Sequence, residues 1–316
     1  MISLSNNSVK VKGHYCLKKY SADTNKLKSI HEFDNVITNN ALDSFVGAKL
    51  NRQYSSFYFV VGTGTSVPMV TNTSLDNQIA KSNKFELKTA GNPVAPDYIS
   101  KVSGTARFNT GTINNTITEI GLIIGNVYSY EYGLFSRALI LDNDNNPTSV
   151  TVGDNEYLDC TYELYYYPNF EETIGSFELD GVTYSYVSRP VSITYNLLIH
   201  TDGNRNDDYG NIVFAKIEED NTIAEMTANY YVNSNYNLSL AWEGDYVDGT
   251  YKRKFNLSIN LDQHNYKTGI GSIVIHCRAL VSVYNRITFT PKIPKDNTCT
   301  MRFVFETPQL ARYTAP

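Results

Sequence analysis

Strict alternation of apolar and polar residues is the feature that most constrains how this chain can fold. In segment 157–166 every second side chain is apolar: Leu158, Cys160, Tyr162, Leu164 and Tyr166. The same pattern recurs in 191–199, 236–242, 255–261 and 273–283. Successive side chains of a β-strand point to opposite faces of a sheet, so each segment predicts a strand with one buried face. Asn-, Asp- and Gly-rich turns separate the segments, and the sequence therefore predicts an all-β fold of antiparallel sheets.

The length of 316 residues suits two domains of ordinary size. We expect two antiparallel β-sandwich domains, spanning residues 1–168 and 188–316. Residues 169–187 interrupt the alternation and are predicted to form a connecting hairpin that turns at Asp180-Gly181. A second hairpin is predicted to pair 236–242 with 255–261.

One short helix is predicted, over residues 41–50. Four apolar side chains fall on one face of this segment at helical spacing: Leu42, Phe45, Val46 and Leu50. Asn39 or Asn40 is the expected N-terminal cap, because an amide oxygen can accept from the free N–H groups of the first turn.

Composition excludes several classes of partner. The net charge of −5 and the pI near 5.6 leave no basic stripe for a phosphate backbone, so we expect no direct contact with nucleic acid. No apolar run approaches the ~18 residues that a membrane-spanning helix needs, and we expect no membrane insertion. The N-terminus lacks the pattern of a secretory signal.

Four cysteines, at positions 16, 160, 277 and 299, show no metal-binding spacing, and we expect them to be free structural thiols.

Four short motifs occur in order in the first half of the chain. They are Asn35-Val36-Ile37-Thr38-Asn39-Asn40-Ala41-Leu42, Val61-Gly62-Thr63-Gly64-Thr65, Thr118-Glu119-Ile120-Gly121-Leu122 and Leu134-Phe135-Ser136-Arg137-Ala138-Leu139-Ile140. In this order and at this spacing, the chain resembles the N-terminal module of tail-fibre, baseplate and collar proteins of tailed bacteriophages. The resemblance covers roughly residues 30–168. It implies a structural protein of the virion, in which identical subunits form rings or trimers.

Two charged residues interrupt apolar strands within these motifs: Glu119 and Arg137. One interpretation is an ion pair that fixes strand register or faces a neighbouring subunit. The other is two unrelated, exposed side chains. Either role is structural.

The abundant tyrosines are candidates for subunit interfaces, because a rigid ring offers contact area at low entropic cost. Alternation exposes at least one ring in each tyrosine run, and the interface candidates are Tyr165, Tyr166, Tyr167, Tyr230 and Tyr231. Ordinary sheet packing is the competing interpretation.

No segment points clearly to catalysis or to a cofactor. The motif at 61–65 lacks the Gly-Lys-Ser/Thr ending of a phosphate loop, so we interpret it as a strand-end turn in which glycine supplies a positive φ. Loops 142–146 and 202–208 carry alternating oxygen ligands but no closing glutamate, and only a weak calcium site at 202–208 stays open. The candidate acidic side chains for a glycan hydrolase lie on outward strand faces or in loops, and they are Glu163, Glu171, Glu172, Glu218 and Glu219. We therefore predict no catalytic, cofactor-binding or metal-binding residues.

The sequence thus favours a non-enzymatic subunit of a bacteriophage tail, collar or baseplate, assembled in the host cytoplasm. Its expected partners are further copies of itself and other tail or neck proteins. The alternative is a receptor-binding module whose C-terminal domain recognises a host surface glycan through Trp242 or exposed tyrosines. A glycan depolymerase is the third class. Burial of Trp242 and the spacing of carboxylates separate these hypotheses.

Overall fold

The structure, a computed structural model, describes residues 2–3, 8–46, 55–89, 99–126, 131–193, 213–223, 238–277, 283–307 and 309–314. Within these ranges the chain forms 22 strands and one short helix. The predicted all-β class is therefore confirmed. The number of sandwiches and the domain boundaries stay predictions.

The first part of the chain, as far as residue 167, contains thirteen strands and the helix. Their bounds are β1 (Ile2–Ser3), β2 (Ser8–Ser21), β3 (Leu27–Asp34), β4 (Val36–Ile37), α1 (Asn39–Val46), β5 (Ser55–Gly62), β6 (Gln78–Lys81), β7 (Lys88–Thr89), β8 (Ser100–Phe108), β9 (Asn115–Ile117), β10 (Glu119–Asn126), β11 (Glu131–Leu139), β12 (Val150–Val152) and β13 (Glu156–Tyr167).

The remaining strands begin at residue 173. They are β14 (Thr173–Leu179), β15 (Val182–Ile193), β16 (Val213–Glu218), β17 (Ser239–Trp242), β18 (Lys254–Ile259), β19 (Ile270–Cys277), β20 (Val283–Ile293), β21 (Met301–Glu306) and β22 (Gln309–Arg312).

Most strands up to β13 lie in two main sheets, one of which also contains β22. One has the order β4-β11-β10-β5-β6, and the other has the order β22-β2-β13-β8-β7, with β3 pairing to β2. Aromatic rings connect them: Tyr15 of β2 lies 6.2 Å from Phe59 of β5, and Tyr162 of β13 lies 6.0 Å from Phe135 of β11, between ring centroids. The alternating residues of segment 157–166 supply this core, because Leu158, Cys160, Tyr162, Leu164 and Tyr166 are all fully buried.

The later strands form two further sheets, β14-β15-β20-β19-β16 and β1-β21-β18-β17. Phe289 of β20 and Phe303 of β21 bring these sheets into contact, with ring centroids 5.9 Å apart. The predicted turn at Asp180-Gly181 is confirmed, since Leu179 pairs with Val182 across it. Both turn residues have positive φ, as a two-residue hairpin requires. The predicted pairing of the segments around Trp242 and Phe255 is also observed, as β17 with β18.

Each end of the chain adds a strand to a sheet that is otherwise built by the other part of the chain. β1 pairs parallel with β21, and β22 pairs parallel with β2. Arg312 in β22 donates to the Ile37 carbonyl at 2.6 Å and to the Asn39 side-chain oxygen at 2.5 Å. Sequence alternation did not anticipate this exchange, because a four-residue strand at a chain end carries too little pattern.

The helix begins earlier than predicted and has a different cap. It spans Asn39–Val46, while residues 47–50 lie outside the described ranges. Thr38 is the N-cap, because its hydroxyl accepts from the Ala41 N–H at 3.2 Å. Asn39 and Asn40 are the first helical residues instead. The Thr38 hydroxyl also donates to the Leu134 carbonyl at 2.6 Å, which fixes the helix start against β11.

The three described cysteines, Cys16, Cys160 and Cys299, are free. Cys160 is fully buried, and burial raises the pKa of its thiol well above the usual range. Burial also raises the pKa of Cys16 to about 11, with a contribution from Glu32. The side chain of Cys277 lies outside the described residues.

We predict four free thiols in the whole chain. Titration of denatured protein without reductant should recover four thiols, while Cys160 should resist labelling in the native state. Peptide mapping after a short native pulse measures this protection. Recovery of two thiols or fewer would contradict the prediction, because it would require a disulfide.

Candidate functional site

The four motifs of the first half of the chain meet in one sheet. Their segments supply β4, β11, β10 and β5, which are neighbours in that order. In the register, Arg137 lies opposite Gly121 on one side and Val36 on the other, and Glu119 lies opposite Gly62. Residues up to about 100 positions apart in sequence therefore build a single surface.

Glu119 and Arg137 form a buried ion pair on this sheet. The Arg137 Nε donates to Glu119 Oε2 at 3.0 Å, and its Nη2 lies 2.8 Å from the same oxygen. Both side chains are 0% exposed. The predicted ion pair is therefore present, and the alternative of two unrelated, exposed side chains is wrong.

Backbone N–H groups complete the surroundings of the Glu119 carboxylate. Oε1 accepts from Gly64 N at 2.9 Å and from Asn77 N at 3.0 Å, and Oε2 accepts from Asp76 N at 3.2 Å. A buried carboxylate needs such donors, because removing it from water costs several kcal/mol. The ion pair therefore holds both ends of loop 63–77.

Arg137 contacts the same loop through its remaining N–H groups. Nη2 lies 2.7 Å from Asp76 Oδ2, and both Nη atoms donate to Ser66 at 3.2 to 3.3 Å. Nη1 also donates to the Asn72 side-chain oxygen at 3.2 Å. Hydrogen bonds from Ser66, together with Arg137, lower the pKa of Asp76. The planar guanidinium thus joins four residues of the loop and the neighbouring strand, Ser66, Asn72, Asp76 and Glu119.

Loop 63–77 folds back over the outer face of the sheet. Its Leu75 is buried in a small apolar cluster with Val60, Ile123 and Leu134, which lie on β5, β10 and β11. This cluster is separate from the main core and lies beside the ion pair. Apolar burial and the charged network together fix the loop.

The glycines of the 61–65 motif serve a different purpose from the one expected. Neither Gly62 nor Gly64 has a positive φ. A Cβ atom on Gly64 would lie 2.4 Å from Glu119 Oε1 and 2.4 Å from the Asp76 Cβ, and one on Gly62 would lie 2.5 Å from Glu119 Oε1. Glycine is required here because the carboxylate approaches the backbone closely, and the positive-φ explanation was wrong.

The tip of this loop exposes apolar side chains. We call residues Ser66–Val70 the knob. Val67 is 75% exposed and Met69 is 58% exposed, and Val70 is also exposed. Sequence analysis missed the knob, although the run Val-Pro-Met-Val between polar turn residues is a visible signal. Exposed apolar groups on a rigid loop are typical of contact surfaces.

The tyrosine candidates have different environments. Tyr166 is fully buried, and its ring lies 6.2 Å from that of Phe45, so its assignment to an interface was wrong. Tyr165 is half-buried and donates a hydrogen bond to Glu163. Tyr167 stacks on Tyr313 with centroids 4.2 Å apart. Tyr230 and Tyr231 lie outside the described residues.

Trp242 is half-buried rather than buried as alternation indicated. Its ring packs edge-to-face on Phe255, with centroids 6.1 Å apart. The Arg253 guanidinium lies 4.2 Å from the ring centroid. A cation therefore covers a face that a sugar ring would need for stacking.

Four of the candidate acidic residues have carboxylates that contact nearby side chains. Glu163 binds Lys101 at 2.8 Å, Glu218 binds Lys216 at 2.6 Å, and Glu172 pairs with Arg189. Thr268 donates to Glu219. These are contacts to nearby side chains, and Glu218 also lies 3.3 Å from the buried Arg286 guanidinium. In Glu171 it is the backbone N–H, not the carboxylate, that donates to the Asn169 side-chain oxygen, at 3.0 Å.

A second polar contact links the helix to a loop of the later strands. Asp43 Oδ1 accepts from the Tyr246 hydroxyl and from Gly249 N, both at 2.7 Å. Burial raises the pKa of Tyr246, and the hydrogen bond to Asp43 contributes. The loop before β18 is thereby held against α1.

The described residues contain no group of His, Cys, Asp and Glu side chains that could hold a metal ion. Loop 202–208 lies outside those ranges. The helix among the described residues is too short to cross a membrane. Comparison with protein-family models, with curated proteins and with solved structures found no match.

Proposed function

We propose that the chain is a non-enzymatic structural subunit of a bacteriophage virion, built into the tail, collar or baseplate as a homo-oligomer. One observation carries the proposal: the four phage-like motifs, scattered in sequence, form a single sheet with one hydrogen-bonded network. Residues from all four motifs hold loop 63–77 in place: Gly64, Glu119 and Arg137 through the buried network, and Asn39 through its N–H, which donates to the Val70 carbonyl. The resemblance therefore extends to residues that act together.

The mechanism that we propose is mechanical. Paired strands with aromatic cores provide rigid blocks, and a rigid block transmits force without changing shape. The buried ion pair keeps the loop at the edge of the block in one conformation. Exposed apolar and aromatic side chains on such loops then serve as joints to neighbouring subunits.

Glycan recognition by the C-terminal part has less support. A stacking site needs an open aromatic face, whereas Arg253 lies over Trp242. A depolymerase would need an acid and a second carboxylate facing each other in a groove. The carboxylates of Glu163, Glu172, Glu218 and Glu219 instead engage lysine, arginine or threonine neighbours.

Reconstruction of purified phage particles that carry this gene tests the proposal. The chain should appear outside the capsid lattice in several symmetry-related copies, and mass spectrometry of the same particles should detect it. Absence from particles, or release on lysis as a monomer that cleaves glycans, would contradict the structural function.

A further inference from the structure

We propose that the knob of one copy docks into a groove on the later strands of a second copy. The groove is the cleft between the β14–β15 hairpin and residues 294–304. This inference rests on the proposed function, because it names the surfaces through which identical subunits join. It assigns a partner to each of two apolar surfaces that the single chain leaves open.

The knob is apolar and carries no charge. Residues 65–75 contain no charged side chain, and Val67, Met69 and Val70 are the exposed apolar groups at its tip. Burying such side chains against another surface is favourable by about 25 cal/mol per Å² of apolar area. The knob therefore fits an apolar, uncharged receptor surface.

The knob is also preorganised. Met69 N donates to the Asn72 side-chain oxygen at 2.6 Å, and Asn39 N donates to the Val70 carbonyl at 2.8 Å. Arg137 binds Ser66 at the other end of the knob. A loop that is already ordered loses little conformational entropy on binding, so more of its contact energy appears as affinity.

The groove has the size and the lining for such a tip. Its volume is about 630 Å³, and aromatic rings of Phe177, Tyr184 and Phe303 line it. Leu179 and Val182 contribute exposed apolar side chains from the hairpin. A cleft of this size with aromatic walls has room for several side chains of a partner.

The charged groups on the 294–304 side of the groove already have partners within the chain, while Glu178 and Asp180 are the charged residues on its hairpin side. Arg302 pairs with Glu243 at 3.2 Å, and Asp296 accepts from the Thr298 N–H and hydroxyl at 2.8 and 2.6 Å. The Lys295 ammonium donates to Leu261 O, Asn265 Oδ1 and Asp296 O. An uncharged tip would leave these pairs intact, whereas a charged partner would compete with them. On the 294–304 side of the groove, the electrostatics thus suit the uncharged knob.

Two different patches on one chain make a head-to-tail contact. The knob follows β5, and the groove lies between β14–β15 and the segment before β21, so each copy offers one of each. A contact of this kind generates a ring when its rotation closes. Ring formation through knob and groove is the geometry that we assign to assembly.

A disulfide trap tests the contact, since Cys299 lines the groove and is partly exposed. In the variant Met69→Cys, copper-phenanthroline should oxidise the introduced thiol of one copy and the Cys299 thiol of another to a disulfide. Disulfides require Cα atoms within about 7 Å, so only close approach gives this bond. Non-reducing gels should show dimers and higher species, and mass spectrometry should map the bond to positions 69 and 299.

Matched variants make the trap specific. Val247 is another apolar residue with an exposed side chain, at 64%. The variant Val247→Cys should form no ladder of disulfide-linked dimers or higher species through Cys299. The double variant Met69→Cys/Cys299→Ser should lose the ladder. In parallel, Met69→Asp should weaken self-association by at least about tenfold, because a carboxylate would be desolvated in the groove. Circular dichroism checks that this exposed substitution leaves the fold intact.

The outcomes separate this proposal from the proposed function. A ladder that depends on positions 69 and 299 supports the contact. A stable oligomer that gives no such bond and is indifferent to Met69→Asp overturns the contact but leaves the structural function standing. A bond within one chain, or a knob covered by a different protein in the particle, also overturns the contact. Absence of the chain from particles overturns both proposals.

Discussion

Replacing Arg137 with alanine should lower the free energy of unfolding by about 3–5 kcal/mol, the usual cost of breaking a buried ion pair from one side. The substitution leaves the Glu119 carboxylate buried without its cation, although three backbone N–H groups still donate to it. It also removes the contacts to Ser66, Asn72 and Asp76. Chemical denaturation monitored by far-ultraviolet circular dichroism measures the loss.

A double-mutant cycle isolates the pair. Glu119→Ala should also cost on the order of 3 kcal/mol, and the double variant should cost clearly less than the sum, because it strands no charge. Strictly additive losses would contradict an energetic coupling between the two residues.

The chain supplies a matched control on the surface. Arg107 and Asp159 form two hydrogen bonds of 2.6 and 2.8 Å, and the Arg107 side chain is 49% exposed. Exposed pairs contribute about 0–1 kcal/mol, so Arg107→Ala should cost little. Comparable losses from Arg107→Ala and Arg137→Ala would show that burial is not what makes the inner pair important.

Loop 63–77 should respond to the same variants. Arg137→Ala should raise amide hydrogen exchange at Ser66 and Asp76 more than in β13, because these loop N–H groups depend on the network. This local effect links the ion pair to the conformation of the knob.

Local sequence pattern was enough to predict much of this fold. Alternation placed Cys160 and Leu164 in a core, because the two-residue period of a strand leaves no other consistent arrangement when one face is apolar. The Asp180-Gly181 turn was recognisable because both residues tolerate positive φ. Charged residues within apolar strands also drew attention to Glu119 and Arg137.

Other features depend on contacts between distant parts of the chain. Tyr166 was misplaced because the tyrosine run was interpreted apart from the alternation, which already puts Tyr166 on the buried face with Leu164. In the structure, Phe45 of the helix meets its ring there. Thr38 became the cap rather than Asn39 because β11 also offers its hydroxyl an acceptor, the Leu134 carbonyl. The parallel pairing of the chain ends joins strands about 300 residues apart, which no local period encodes.

The knob illustrates the same limit in another way. Its apolar residues are visible in the sequence, but their exposure depends on a loop held by Glu119 and Arg137 from two other strands. A run of four apolar residues between turns reads equally well as a short buried strand. Only the three-dimensional network shows that the run faces solvent.

Gly64→Ala should destabilise the protein by about 1–3 kcal/mol or more, the cost of forcing an extra methyl group into a packed site. The new Cβ would lie 2.4 Å from both Glu119 Oε1 and the Asp76 Cβ. Either the carboxylate or the loop backbone must move, and movement of the carboxylate weakens its hydrogen bonds to the loop and to Arg137. Denaturant unfolding measures the cost, and disulfide trapping in the Met69→Cys background measures the effect on the knob.

Gly153→Ala is the matched control for this substitution. Gly153 also lies in a loop without a positive φ, but a Cβ there would meet only Glu156 Oε2, at an ordinary contact distance of 3.8 Å. The same chemical change should therefore alter stability by less than about 0.5 kcal/mol, because nothing has to move. If both variants were equally stable, the closeness of the Glu119 carboxylate would not be the reason for glycine in the 61–65 motif. If only Gly64→Ala lost stability and Glu119→Ala restored part of it, the requirement for glycine would be traced to that carboxylate.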